Sequence, residues 1–188
     1  MSHKKLAGLL TAAAFALLVL GAGPASALTP GVHSPAYTVS GVNSGSIALG
    51  SLISCSTSTV GGTITTDHGS GAGGGGPISS AAWSGCGLGN SAAANNLPWT
   101  GLDVTDNDAD GVGEATISGV DVTVKALGGL ISCRYTGTLT GSYDPTNGHL
   151  DLSSSLSSSS GGLCPSSASV SGTYVLTDNS SAGHIPQL

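Results

Sequence analysis

The chain has 188 residues, with four Lys or Arg against ten Asp or Glu and a formal net charge of −6. So few cations cannot neutralise a phosphate backbone, which excludes nucleic acid as a partner and argues against anionic lipid headgroups. Gly, Ser, Thr and Ala are abundant, while Lys, Glu, Met and Phe are scarce. That balance starves helices and favours short strands joined by tight turns.

Lys4 and Lys5 precede a nearly unbroken apolar run from Leu6 to Leu20, which Gly21 and Pro24 end. Ala25-Ser26-Ala27 is the small-x-small pattern that a signal peptidase accepts. The expected organisation is therefore a signal peptide over 1–27 and a single β domain over 28–188, exported by the general secretory route. The apolar run is short for a membrane span, and no later stretch is long and apolar enough to cross. After cleavage only Lys125 and Arg134 stand against ten acids, 2 − 10 = −8.

Alternating apolar residues predict strands at Tyr37–Val42, Ile47–Cys55 and Val60–Thr66. Asp67 to Pro77 reads as a Gly-rich surface loop with no phosphate-cradle motif. Ile78–Trp83 is a short strand ending near Cys86, and Gly87 to Asn96 reads as a loop. Leu97–Thr105 and Glu114–Lys125 form a predicted hairpin around the acidic run from Asp106 to Gly113. Leu130–Tyr143 follows, then the turn Asp144-Pro145-Thr146-Asn147-Gly148, in which Asn-Gly tolerates positive φ. His149–Ser153 and Ser169–Thr177 are the last predicted strands; the Ser-rich segment between them and the tail to Leu188 are expected to be loosely held.

Part of this pattern occurs twice. Ser40-Gly41-Val42 through Ile53-Ser54-Cys55 matches Ser118-Gly119-Val120 through Ile131-Ser132-Cys133 at ten of sixteen positions, at an offset of 78 (133 − 55). Cys86 and Cys164 keep the same offset. The chain thus reads as two pseudo-repeats, about 37–105 and about 114–178. The expected fold is all-β: an antiparallel β-sandwich or flattened barrel braced by disulfides. Four cysteines in an exported chain imply two bridges, and four allow three connectivities. The repeat selects Cys55 with Cys86 and Cys133 with Cys164, each 31 residues apart. Zinc or redox sites fail on spacing, since no Cys-x-x-Cys is present.

The acidic run is the most specific polar signal. Asp106, Asp108 and Asp110, followed by Gly111, match the front of a calcium loop, with Glu114 as a further candidate ligand. Ile117 stands where an EF-hand needs its bidentate glutamate, so calcium competes here with a plain solvated hairpin turn. Trp83 and Trp99 are candidate binding residues, because an indole face stacks on sugar rings; the bland reading is that they pack in the core. Leu97-Pro98-Trp99-Thr100-Gly101 is similar to a sortase signal but sits mid-chain, without the apolar stretch and basic tail that such a signal needs. No Gly-x-Ser-x-Gly or His-Glu-x-x-His motif is present, and no carboxylate pair suits glycoside chemistry. No enzyme and no cofactor other than calcium is expected.

Short motifs around the cysteines carry a resemblance. Ile53-Ser54-Cys55, Trp83-Ser84-Gly85-Cys86, Cys133-Arg134-Tyr135-Thr136-Gly137 and Ser171-Gly172-Thr173-Tyr174 resemble a family of small, secreted, β-rich actinobacterial proteins of unknown function. The Leu-Gly-x-x-x-Ser-Cys segment and Leu97-Pro98-Trp99 also resemble the secreted activator of alkane oxidation of pseudomonads. The second resemblance implies a non-catalytic accessory protein at the cell surface. The expected function is a secreted, non-catalytic protein that binds or coats through a rigid β scaffold, in contact with the cell envelope or its carbohydrate. The alternatives are a calcium-dependent carbohydrate-binding module and a secreted hydrolase.

Overall fold

The computed structural model describes residues 31–67, 73–106, 111–180, 186 and 188; the expected signal peptide lies outside them. The strands are β1 (Gly31–Leu49), β2 (Ile53–Cys55), β3 (Thr57–Asp67), β4 (Gly73–Ser84), β5 (Ser91–Ala94), β6 (Trp99–Asp106), β7 (Gly113–Ala126), β8 (Ile131–Asp144), β9 (His149–Ser158) and β10 (Ser167–Asp178). Every pairing is antiparallel. The path β1-β3-β4-β6-β7-β8-β9-β10 returns to β1, so eight strands close a barrel. Closure leaves few open edges for unwanted pairing. Of the two expected architectures, the structure is the barrel. Short β2 extends the pairing beside the end of β1, and β5 takes over from β6 beside the end of β7.

Alternation sets the inside. Along β9, Leu150, Leu152 and Leu156 are buried while Asp151, Ser153, Ser155 and Ser157 are exposed. This apolar interior with a hydroxyl-rich outer wall is the inverse of a membrane-spanning barrel, whose lipid face must be apolar. No helix among the described residues is long and apolar enough to cross a membrane.

Along β7 the parity shifts once. Ala115 and Ile117 point inward, then Val120, Val122 and Val124 do, with the register slipping between Ile117 and Val120. Gly119 sits there at φ +74°, a left-handed conformation that a bulge uses and a side chain resists. The two similar sequence windows share a pairing offset but not a local shape: the first pairs without a bulge, and Val42 is exposed where Val120 is buried. Val42 faces Thr59 on the first hairpin, and Val120 faces Gly137 on the second, each 78 residues further on.

Several loop expectations are corrected. Gly73–Gly76 is the start of β4, not loop: Gly75 lies between Thr66 and Asp103. Neighbouring backbone comes so close that a Cβ on Gly76 would meet Thr63 O at 1.9 Å. Glycine is thus a strand residue here because the chains crowd, a case that composition reads as loop. Ser91–Ala94 pairs with β7 as β5, and β9 runs on through the Ser-rich segment to Ser158. Part of the tail is held as well, since Tyr143 Oη donates to Pro186 O at 2.6 Å and Leu188 is buried.

β1, β4, β7 and β9 run toward one end of the barrel, here called upper, and the other long strands run back. The upper connections are 50–52, 85–90, 127–130 and 159–166. The disulfides join Cys55 to Cys86 and Cys133 to Cys164, as the repeat spacing required, and both lie at this upper end. Closed disulfides fit an oxidising environment outside the cytoplasm.

Candidate surface-binding end of the barrel

Among the described residues the barrel interior is packed as core. Ile47, Trp83, Ile117, Leu139, Leu152 and Tyr174 are among the residues around a residual cavity of about 30 Å³. An apolar cavity that takes up benzene measures about 150 Å³, so this one holds nothing larger than a water or a methyl group. An eight-stranded barrel is just wide enough for its own side chains to fill it. Among the buried polar groups, the Ser58 and Tyr174 hydroxyls lie 2.6 Å apart. Ser58 N also donates to Asn43 Oδ1 at 2.6 Å. Burial pushes the Tyr174 phenol above its ordinary pKa, against the opposing hydrogen bond from Ser58. Trp83 Nε1 faces the phenol without reaching hydrogen-bond geometry.

The upper end is different. Leu88 is 100% exposed, Leu130 86%, Leu163 82% and Leu127 67%. They stand on three neighbouring connections, each beside glycine: Gly87-Leu88-Gly89, Leu127-Gly128-Gly129-Leu130 and Gly162-Leu163. Leu88 has glycine on both sides, and each of the other three has glycine on one. The first two connections are fastened together, since Gly128 N donates to Asn90 Oδ1 at 3.3 Å. Leu127 itself has φ +51°. Left-handed backbone is costly for leucine, and exposure removes any packing reason for it. Exposed apolar groups collected at one end of a folded chain mark a contact surface.

Charge follows the same axis. Lys125 and Arg134, the cations among the described residues, lie toward the upper end, on β7 and β8. Asp103, Glu114, Asp144, Asp151 and Asp178 all lie toward the lower end of their strands. Asp121 is the upper exception, and it is neutralised. Arg134 grips its carboxylate through Nε at 2.8 Å and a terminal nitrogen at 2.5 Å. Asn95 and Asn96 add amide donors at 3.0 and 2.6 Å. These bonds, the one from Arg134 first, hold the Asp121 carboxyl down at about pKa 2 against the desolvation that opposes them. The cluster also fixes the β5–β6 connection, because Asn95 N donates to Asp121 O and Trp99 Nε1 to Asn95 O.

The residues singled out from sequence fall in three places. The four cysteines brace the upper end. Trp99 is buried and Trp83 is half-buried with its ring on the interior cavity, so neither indole offers an open stacking face. Asp108, Asp110 and the Asp106 side chain lie outside the described residues. Glu114 is exposed on β7 opposite Thr105 and Ser142. Among the described residues no three of His, Cys, Asp and Glu gather as metal ligands. An open trough of about 410 Å³ on the outer wall, beside Thr65, Thr100, Asp103, Thr116 and Ser118, has no aromatic residue in its lining. Sequence reasoning missed the leucines. Their signal was present as lone leucines between glycines at turn positions, but turn leucines are too common to single out before the turns are seen to meet.

A family model described as "Alkane oxidation protein activator PraA/PraB-like" matches residues 3–182. No curated protein and no solved structure matches. The match falls on the second of the two resemblances seen in the sequence, not on the actinobacterial group. It spans the cysteine-bearing windows, the barrel strands and the leucine-bearing turns alike. The chain belongs to the alkane oxidation protein activator PraA/PraB-like family.

Proposed function

We propose that this is an exported, non-catalytic accessory protein that promotes alkane oxidation by settling on the surface of the hydrocarbon through its leucine end. One observation carries the reading: Leu88, Leu127, Leu130 and Leu163 are exposed together at the upper end of a barrel whose described residues pack an apolar core. The interior cavity among the described residues is too small for an alkane, so this reading puts the contact on the outer surface. Transfer of a leucine from water to hydrocarbon is favourable by roughly 1.5–3 kcal/mol. The carboxylates toward the lower end stay in water in this orientation, which avoids the large cost of carrying a charge into an apolar phase. The Asp121–Arg134 pair, near the surface, is already closed on itself. Lys125 is exposed, and a lysine stem is long enough to keep its ammonium in water beside an apolar surface. The tryptophan-based carbohydrate reading has lost the exposed indole that would favour it.

The test is adsorption to a hexadecane–water interface, followed by pendant-drop tension. The disulfide-bonded protein should lower the tension at micromolar concentration. A variant with all four leucines changed to serine should need at least about a hundredfold more protein, by the transfer energies above. Added to cells growing on alkane, the first should speed oxidation and the second should not. Superimposable isotherms for the two proteins would remove the leucine end from the mechanism.

A further inference from the structure

We infer that the Cys133–Cys164 disulfide is a reducible latch on the leucine end, while Cys55–Cys86 is a permanent brace. This rests on the surface-binding reading and adds its regulation.

The two bridges span equal lengths of chain, 31 residues each, so loop closure does not separate them. Their surroundings do. Cys55 and Cys86 are both buried, at 0% and 6% exposure. Cys133 is buried, but its partner Cys164 is half-exposed on the 159–166 connection. Thiol–disulfide exchange needs in-line access to one sulfur, and the Cys164 side supplies it.

The connections differ in what else holds them. The 85–90 segment is tied to its surroundings at both ends besides its disulfide, and one further bond closes its own turn. Ser56 N donates to Gly85 O, Asn90 N to Gly87 O, and Asn90 Oδ1 accepts from Gly128 N. The 159–166 segment is tied at its ends: Ser159 N donates to Arg134 O, Ser160 Oγ accepts from Arg134 N, and Ser166 O accepts from Ser158 N. Between Ser160 and Ser166 the described contacts reduce to the Cys164 bridge, whose sulfur also lies 3.5 Å from Ser132 O. A side chain added at Gly161 or Gly162 would meet nothing within 4 Å. Leu163 is therefore placed by its neighbour Cys164 and by little else.

The chemistry needs an external dithiol. Its thiolate attacks Cys164 Sγ, breaking the bond to Cys133 and releasing the Cys133 thiolate. The second thiol of the reagent then displaces Cys164 Sγ. Two electrons pass to the protein, the reagent closes its own disulfide, and both cysteines end as thiols after protonation. The barrel wall is untouched, because β8, β9 and β10 remain hydrogen-bonded along their lengths. Leu163 loses its fixed position, and the apolar surface loses one of its corners.

The experiment titrates the full exported protein with dithiothreitol. Newly free thiols are alkylated and mapped by mass, amide exchange is read over 159–166, and adsorption to hexadecane is followed in parallel. The first pair of thiols should appear at Cys133 and Cys164. Exchange over 161–165 should then rise at least about tenfold with the far-ultraviolet spectrum unchanged, and half-saturation of the interface should need several times more protein. Cys133→Ser with Cys164→Ser should reproduce that state without reductant. First reduction at Cys55–Cys86, unchanged exchange over 161–165, or loss of the barrel together with the first bridge would each overturn the latch. Mapping and exchange do not involve the hydrocarbon, so they judge the latch even if adsorption by the leucines fails its own test. If the reduced protein adsorbs as well as the oxidised one, the latch does not regulate the surface.

Discussion

Gly89 stands so close to Gly128 that a Cβ on Gly89 would lie 2.6 Å from Gly128 Cα. This contact seats the Leu88 loop on the Leu127–Leu130 turn, and no flexible side chain can yield there, because the obstacle is backbone. Gly89 also has φ +69°, where alanine is strained. Gly89→Ala should cost about 1–3 kcal/mol and push the two leucine turns apart. A lowered urea midpoint with weaker adsorption is the expected pair of readings; an unchanged midpoint would mean that the turns are not fastened at this point.

Leu127 offers the opposite trade. Its φ of +51° is tolerated by Asn, which bonds locally in the left-handed region, and exposure means that little packing is lost on replacement. Leu127→Asn should therefore stabilise the fold by about 0.5–1 kcal/mol while weakening adsorption to hydrocarbon. Thermal melting and pendant-drop measurements on the same sample check both signs. A variant both less stable and equally adsorbing would contradict this account of the residue.

Asp121 sets an acid limit. Its folded pKa, about 2, lies below the ordinary value of 3.8. A depressed carboxylate pKa contributes stability that is fully present above about pH 4 and disappears as pH falls through about 2. With Arg134 half-exposed and screened by solvent, the contribution at neutral pH is about 1–2 kcal/mol. Asp121→Asn should lose that amount at pH 7 and differ little from the parent at pH 2. Urea titrations of both proteins at the two pH values decide it.

Ser58 and Tyr174 should be strongly coupled. Removing either hydroxyl leaves the other buried with a lost partner, at about 1–3 kcal/mol. Tyr174→Phe combined with Ser58→Ala should cost clearly less than the two single changes added together. Strict additivity in a denaturation cycle would show that the two hydroxyls do not depend on each other.

The sequence alone determined the class of fold and its covalent frame. Alternation of Val, Ile and Leu with Ser and Thr requires strands with one buried face, and a 78-residue offset shared by all four cysteines selects one disulfide pairing of three. Both signals survive in one dimension because they are periodic. The places where glycine served as strand, Gly73–Gly76, looked like loop, because the close backbone approach that calls for glycine exists only after β3, β4 and β6 are side by side. The same holds for the two tryptophans, whose inward direction follows from strand register and not from residue type. Whether the strands would stack as two sheets or close as a barrel was decided by the pairing of β1 with β10, between segments more than a hundred residues apart. That pairing also defines the end of the barrel at which Leu88, Leu127, Leu130 and Leu163 meet. Each is an ordinary turn leucine in the chain, and only the closed barrel gathers them into one surface.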